Sequence, residues 1–156
     1  NDVMKAGPQC KEEVQGVKVV LVDAILHEDA IHRGPAQVIP AVRDAIKDAF
    51  LSAGPILLEP IQVVRVDIPM QYMSNVTALI QSRRGVVVDV KEEGDKTTII
   101  AEQPVSTTFD FTNVLRSETE GRGSWSLIGE KFKRLPKELY DQVVKQIRQR
   151  KGLDTV

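Results

Sequence analysis

The sequence predicts an α+β chain, and three observations predict it. Short runs rich in β-branched residues alternate with stretches whose apolar residues recur at helical spacing. Breaker and turn pairs separate these stretches at Gly34-Pro35, Gly54-Pro55, Gly94-Asp95 and Leu135-Pro136. The 156 residues, 42% hydrophobic and 28% charged, suffice for one globular domain or two small ones with modest cores.

The elements follow in order. Val17 to Leu26 is dense in β-branched residues and short enough for a strand, and it runs straight into a polar loop. From Gln37 to Ala53 apolar residues recur at Val38, Val42, Ala45 and Ala49 and at Ile39, Ile46 and Phe50, the spacing of a helix face. Gly54-Pro55 ends that helix, and Pro40 is read as part of its first turn, so the start falls near Ala36 or Gln37. Beyond Glu59-Pro60 the pattern becomes a strand (Ile61 to Ile68), a helix (Met70 to Arg83) and a strand (Gly85 to Val90). A hairpin at Glu93-Gly94-Asp95 leads to a strand (Thr97 to Glu102), then a helix (Ser106 to Glu118) and a strand (Ser124 to Phe132). This βαββαβ order is a split βαβ sandwich of the ferredoxin-like kind. Leu135-Pro136 opens a last helix, Lys137 to Arg150, with Leu139, Val143 and Ile147 on one face. Trp125 and Tyr140 read as core or half-buried anchors, the aliphatic residues of the strand after Arg84 as core, and Arg83 and Arg84 as a solvated helix end.

Composition narrows the function classes. Cys10 is the only cysteine and has no partner in the chain, which fits a reducing, cytoplasmic setting. No run approaches the roughly 20 apolar residues of a membrane span, and the first residues lack a signal-peptide layout, so a soluble protein without a membrane partner is expected. Asn1-Asp-Val-Met-Lys reads as the continuation of a longer chain. The formal charge of −1 hides an asymmetry, because Lys131 to Lys151 carries eight Lys or Arg against Glu138 and Asp141. That end is either a polyanion-binding surface or a solvated helix face with cations near its C-terminus.

The segment His27 to Gln37 gathers both histidines of the protein with Glu28, Asp29 and Arg33. A zinc-protease helix needs histidines four apart; here they are five apart and Gly-Pro follows. At 100° per residue the rings would be offset by about 500° and point to different sides of a helix, so no metal site is expected. No nucleophile elbow is present, and Cys10 falls in a stretch expected to be flexible.

Asp23 through Gln37, reading Asp-Ala-Ile-Leu-His-Glu-Asp-Ala-Ile-His-Arg-Gly-Pro-Ala-Gln, resembles the tip-loop signature of archaeal and eukaryotic translation elongation factor two. Lys5-Ala-Gly-Pro8, Glu59-Pro-Ile61, Arg83-Arg-Gly85 and Arg148-x-Arg-Lys-Gly-Leu153 extend the resemblance over essentially the whole chain. It weakens between Phe109 and Trp125, where Phe109-Asp110-Phe111 stands in place of the family's Phe-Gly-Phe. The resemblance implies that residues 1–58 are the C-terminal part of the family's domain IV, with its tip loop at 27–37. Residues 59–132 would be the ferredoxin-like domain V, and 133–156 a helix packing back on domain IV. His32 would be the histidine converted to diphthamide and carried into the decoding site. Arg33, Gly34, Pro35 and Gln37 would be the tip-loop RNA contacts, with His27, Glu28 and Asp29 bracing the loop. The implied partners are the ribosome (rRNA, A-site and P-site tRNA, and mRNA), the N-terminal GTPase domains of the same chain, and the diphthamide biosynthesis enzymes.

A GTPase needs a phosphate-cradling Gly-x-x-x-x-Gly-Lys-[Ser/Thr] loop, and Gly121-x-Gly123 is too short to serve. GTP and Mg would therefore belong to the GTPase domain, with no cofactor in this stretch. The stretch itself is expected to be no enzyme but a strut and decoding-site probe in GTP-dependent translocation. Two rivals share the split βαβ order. A free-standing RNA-binding module would stack bases on strand aromatics, but Arg84-Gly-Val-Val-Val-Asp-Val-Lys91 has no ring. An acylphosphatase-like hydrolase would want a phosphate loop with arginine after the first strand, where Asp67-Ile-Pro69 is acidic.

Overall fold

A computed structural model describes residues 2–153. It divides into two compact units: Leu57–Leu135 form one, and the residues up to Ile56 together with those from Pro136 onward form the other.

The chain enters through a short helix, α1 (Asp2–Lys5), and a tight loop in which Gly7 N–H donates to the Glu12 carbonyl and Val14 N–H to the Met4 carbonyl, both at 2.8 Å. The strand expected at Val17 to Leu26 does not form. The segment has no regular secondary structure, and no strand among the described residues pairs with it. An extended chain becomes a strand only when a neighbour completes its hydrogen-bond ladder, however strong its β propensity. After the loop comes α2 (Pro35–Ser52), beginning slightly before the expected start. Pro40 consequently lies past the first turn, where its missing N–H removes the bond that residue 40 would give to the Ala36 carbonyl. Ala53 closes the helix and Gly54, at φ 68°, turns the chain away in the left-handed region.

The other unit is a sandwich of sheet and helices. Its strands are β1 (Leu58–Pro69), β2 (Val86–Glu93), β3 (Lys96–Pro104) and β4 (Ser124–Arg134). They form one antiparallel sheet in the order β2-β3-β1-β4, as the split βαβ reading requires. Each of the two connecting helical segments begins as a 3₁₀ turn: Met70–Tyr72 precedes α3 (Met73–Ser82), and Val105–Thr107 stands before α4 (Phe111–Glu118). The strands run longer than the periodicity predicts because pairing continues past the last apolar residue.

Alternate β1 residues Val64, Val66 and Ile68, with Ile99 and Ala101 of β3, face Tyr72, Val76, Ile80, Phe111 and Leu115 from the helical layer. Trp125 packs edge to face on Phe111, at 5.6 Å between centroids, and its Nε1–H donates to Thr112 Oγ1 at 2.9 Å. Such pairs add to what area burial alone supplies. Gly85 lies so close to Ile80 that an added Cβ would sit 2.7 Å from the Ile80 carbonyl oxygen, which accounts for glycine between α3 and β2.

Two readings of this unit need correction. The valines of β2 are core only in part: Val87 packs half-buried against the core cluster, whereas Val86 and Val88 are 56% and 57% exposed on an edge strand whose register shifts between Val87 and Asp89. Arg83 is half-buried rather than a solvated helix end, and Arg84, though exposed, is ion-paired. Arg83 makes a bidentate pair with Asp110 and donates to the Thr107 carbonyl at 2.8 Å, while Arg84, at φ 61°, pairs with Glu59.

The last helix, α5 (Lys137–Arg150), spans the expected residues. Within its unit, Tyr140 Oη donates to Gln9 Oε1, Arg148 Nη1 donates to the Gln9 carbonyl at 2.6 Å, and Lys151 Nζ donates to the Lys11 carbonyl at 2.7 Å. No helix among the described residues is long and apolar enough to cross a membrane.

Candidate functional site

The loop between the unpaired segment and α2 is built around one acid. Asp29 adopts an extended conformation, φ −80° and ψ 126°, and its carboxylate accepts from Ile31 N–H at 3.0 Å. A short acidic side chain there satisfies a backbone donor that a helical start leaves open. The cap opens a 3₁₀ turn over Ala30–Arg33, in which His32 N–H donates to the Asp29 carbonyl at 3.2 Å. His32 and Arg33 thus sit on a turn, both exposed.

Two further bonds tie the approach to this turn. Asp29 N–H donates to His27 Nδ1 at 3.0 Å, and Arg33 Nη2 donates to the Glu28 carbonyl at 3.4 Å. The bracing expected of His27, Glu28 and Asp29 is visible in these contacts. The ring geometry is a correction. The imidazoles of His27 and His32 do not point to different sides; they pack edge to face with centroids 4.6 Å apart and planes at 66°. The helical offset does not apply, because the chain between them is an extended residue followed by a 3₁₀ turn. Among the described residues no group of three or more His, Cys, Asp or Glu is placed to hold a metal ion.

On the far side of the turn the loop becomes the start of α2. Gly34 caps it without a side chain, Pro35 occupies the first helical position, and the Gly34 carbonyl accepts from both Gln37 and Val38 N–H at 3.0 Å. Gly34 has an ordinary φ of −71°, so conformation does not require glycine. The single close neighbour of an added Cβ would be Gln37 Oε1 at 3.0 Å, the far end of an exposed side chain that can move aside, so space does not require glycine either. His32, Arg33, Gly34, Pro35 and Gln37 are therefore brought together on one turn and the helix it enters. Chemically the surface offers an imidazole and a guanidinium, both able to donate to phosphate oxygens, with no nucleophile beside them. The ring contact between His27 and His32 is the feature sequence reasoning misses. An aspartate three residues before His32 was its one readable sign, because it marks a capped turn rather than a continuing helix.

The basic C-terminal stretch divides between the two units and is largely engaged. Lys131 and Lys133 both pair with Glu102, whose carboxyl they hold below the usual range, chiefly by the hydrogen bond from Lys131. Lys151 pairs with Glu12 at 2.7 Å, and Arg150 reaches the same carboxylate at 4.0 Å. Cys10, 2% exposed, lies in the loop that Lys151 and Arg148 grip, and burial pushes its thiol pKa up, so it is no activated nucleophile.

Comparison with known proteins gives two family matches, and the C-terminal one runs past Leu135 into α5. Residues 56–143 match the family model described as the elongation factor G C-terminus, and residues 1–54 match elongation factor G, domain IV. Elongation factor 2 of Nanoarchaeum equitans is 54% identical over 151 residues, 97% of this chain and 20% of that protein. Elongation factor 2 of Pyrococcus furiosus is 51% identical over 154 residues, 99% of this chain and 21% of that protein. The chain spans about a fifth of the length of these curated relatives. A crystal structure from Thermus thermophilus superposes with a TM-score of 0.80 at 26% identity, covering 95% of this chain and 22% of that one.

Proposed function

Because this chain belongs to the elongation factor G C-terminus family, we propose that it is the ribosome-contacting C-terminal part of an archaeal-type elongation factor 2. The longer factor would hydrolyse GTP with Mg in its own N-terminal domains, in the cytoplasm, and drive movement of tRNA and mRNA. This part would be the strut and decoding-site probe that those domains move. Residues up to about 58 correspond in this reading to domain IV, residues 59–132 to domain V, and the last helix to the element that closes on domain IV.

The observation that carries the reading is the capped turn at Ala30–Arg33, which presents an exposed His32 and Arg33 on a short, braced loop ahead of a helix. A probe that enters an RNA-lined site gains from holding its donors in place beforehand, since ordering them on contact would cost binding free energy. His32 is the residue we assign to diphthamide, with Arg33, Gly34, Pro35 and Gln37 as its neighbours against tRNA, mRNA or rRNA. The diphthamide biosynthesis enzymes would be transient partners of the same turn.

Toxin-catalysed ADP-ribosylation tests this directly. The chain is assayed as plain histidine and again after incubation with a diphthamide-synthesising archaeal extract, and labelled peptides are mapped by mass. Label confined to His32 and dependent on the extract is the expected result. Intact His32 beside efficient labelling of authentic factor would overturn the assignment.

A further inference from the structure

We infer that His27 is a positioning residue that holds the His32 imidazole in one orientation for the enzymes that modify it; the inference rests on the assignment of His32 made above. An exposed histidine on a surface turn ordinarily exchanges among side-chain rotamers on a picosecond to nanosecond timescale. Here three contacts close a ring around it. The His32 backbone is tied to the Asp29 carbonyl at 3.2 Å, the Asp29 N–H is tied to His27 Nδ1 at 3.0 Å, and the His27 ring packs edge to face on the His32 ring at 4.6 Å. Asp29 is itself fixed by the bond from Ile31 N–H to its carboxylate.

The chemistry of His27 follows from its partner. A ring nitrogen that accepts a backbone N–H bears no proton, so the neutral His27 ring carries its hydrogen on Nε2. That bond fixes the plane of the His27 ring, and the fixed plane gives the His32 ring a surface to lie against. The 66° angle between them sets an edge of one imidazole against the face of the other, the arrangement that ring quadrupoles favour. Position 27 therefore needs two properties, an acceptor at the Nδ1 site and a flat ring, and histidine supplies both.

Three substitutions separate these properties. His27→Asn keeps an acceptor near the Nδ1 site without the ring, His27→Phe keeps the ring without the acceptor, and His27→Ala removes both. Two readouts are taken on the chain labelled at histidine. The first is the set of ring-to-ring nuclear Overhauser contacts of His32 and its χ1-dependent couplings. The second is the initial rate at which a diphthamide-synthesising archaeal extract modifies His32. With the amide spectrum unchanged outside residues 25–37, the fold is intact.

The expected result is averaged His32 couplings and a rate lowered about tenfold in His27→Ala, with a smaller loss in His27→Phe than in His27→Asn. Tenfold corresponds to about 1.4 kcal/mol of lost pre-organisation. A His27→Ala chain modified at the wild-type rate, or a wild-type spectrum with no contact between the two rings, would overturn the positioning role alone. If the extract leaves wild-type His32 unmodified while the ring contacts are present, the assignment of His32 fails, and the positioning role falls with it.

Discussion

Between Leu57 and Leu135 the apolar residues that face the helices are sealed, with Val64, Val66, Val76, Ile80 and Phe111 all at zero exposure. In the other unit Leu21, Val22 and Ile25 are 80%, 92% and 97% exposed, and α2 buries none of its residues. Only Gly7 and Cys10 are buried among the described residues of that second unit. One unit is held by a hydrophobic core, the other by backbone and ionic bonds between the 7–14 loop and α5. The same amino-acid types are thus sealed in one place and at most half-buried in the other, Cys10 aside. An apolar pattern states what a segment requires, and only a neighbouring element decides whether the requirement is met.

The largest test of this difference is Phe111→Ala. Phe111 is fully buried and supports Trp125, the protein's only tryptophan, so the change should cost about 3–5 kcal/mol in urea unfolding followed by tryptophan fluorescence. Reactivity of Cys10, which reports the other unit, should stay at its wild-type rate. A loss of Cys10 protection in step with the fluorescence would break the contrast by showing a single cooperative structure.

Lys151→Met is the counterpart in the ionic unit. Its ammonium donates to the Cys10 carbonyl at 3.1 Å, the Lys11 carbonyl at 2.7 Å and the Glu12 carboxylate. Losing charge-assisted bonds to a partly buried loop should cost about 1.5 kcal/mol. That corresponds to alkylation of Cys10 faster by roughly tenfold, while tryptophan-detected unfolding is unmoved.

Glu102 sharpens the comparison from the core side, because it is the one carboxylate there held by two lysines. Its folded pKa is lowered, so its contribution is present above the unfolded value of about 4.3 and is lost as pH falls through the lower folded value. The lysines are half exposed, which limits the effect to about 1 kcal/mol at neutral pH after screening. Glu102→Gln should remove that much at pH 7, and the gap to wild type should close in acid below about pH 4. A gap independent of pH would show that packing, not charge, is what the glutamate supplies.

How far the sequence was legible follows the same line. In Leu57–Leu135 the order of elements could be read because each apolar face finds its partner within the same stretch, and Lys137–Arg150 was bounded by Pro136 and Gly152. Val86, Val88 and Val90 of β2 misled because edge and central strands share a composition, and their difference lies in neighbours the sequence does not name. Arg83 and Arg84 misled for a similar reason: Asp110 and Glu59 are 27 and 25 residues away. At the candidate site the residue types and the Gly34-Pro35 stop were legible. The contact of the two histidine rings was not, since it depends on a turn type that Asp29 alone hints at.

The smallest expected effect tests the unpaired segment. Leu21 and Val22 are adjacent, so in a paired strand their side chains would take opposite faces, and a lysine would be costly at one position and tolerated at the other. In this chain both are largely exposed and no strand among the described residues pairs with the backbone, so Leu21→Lys and Val22→Lys should each change stability by no more than about 0.5 kcal/mol. Equal, small effects in urea unfolding and in Cys10 alkylation would show that this stretch has the composition of a strand and the energetics of a surface. A marked difference between the two neighbours would mean that one face is covered in solution, and the contrast between the units would then be one of degree.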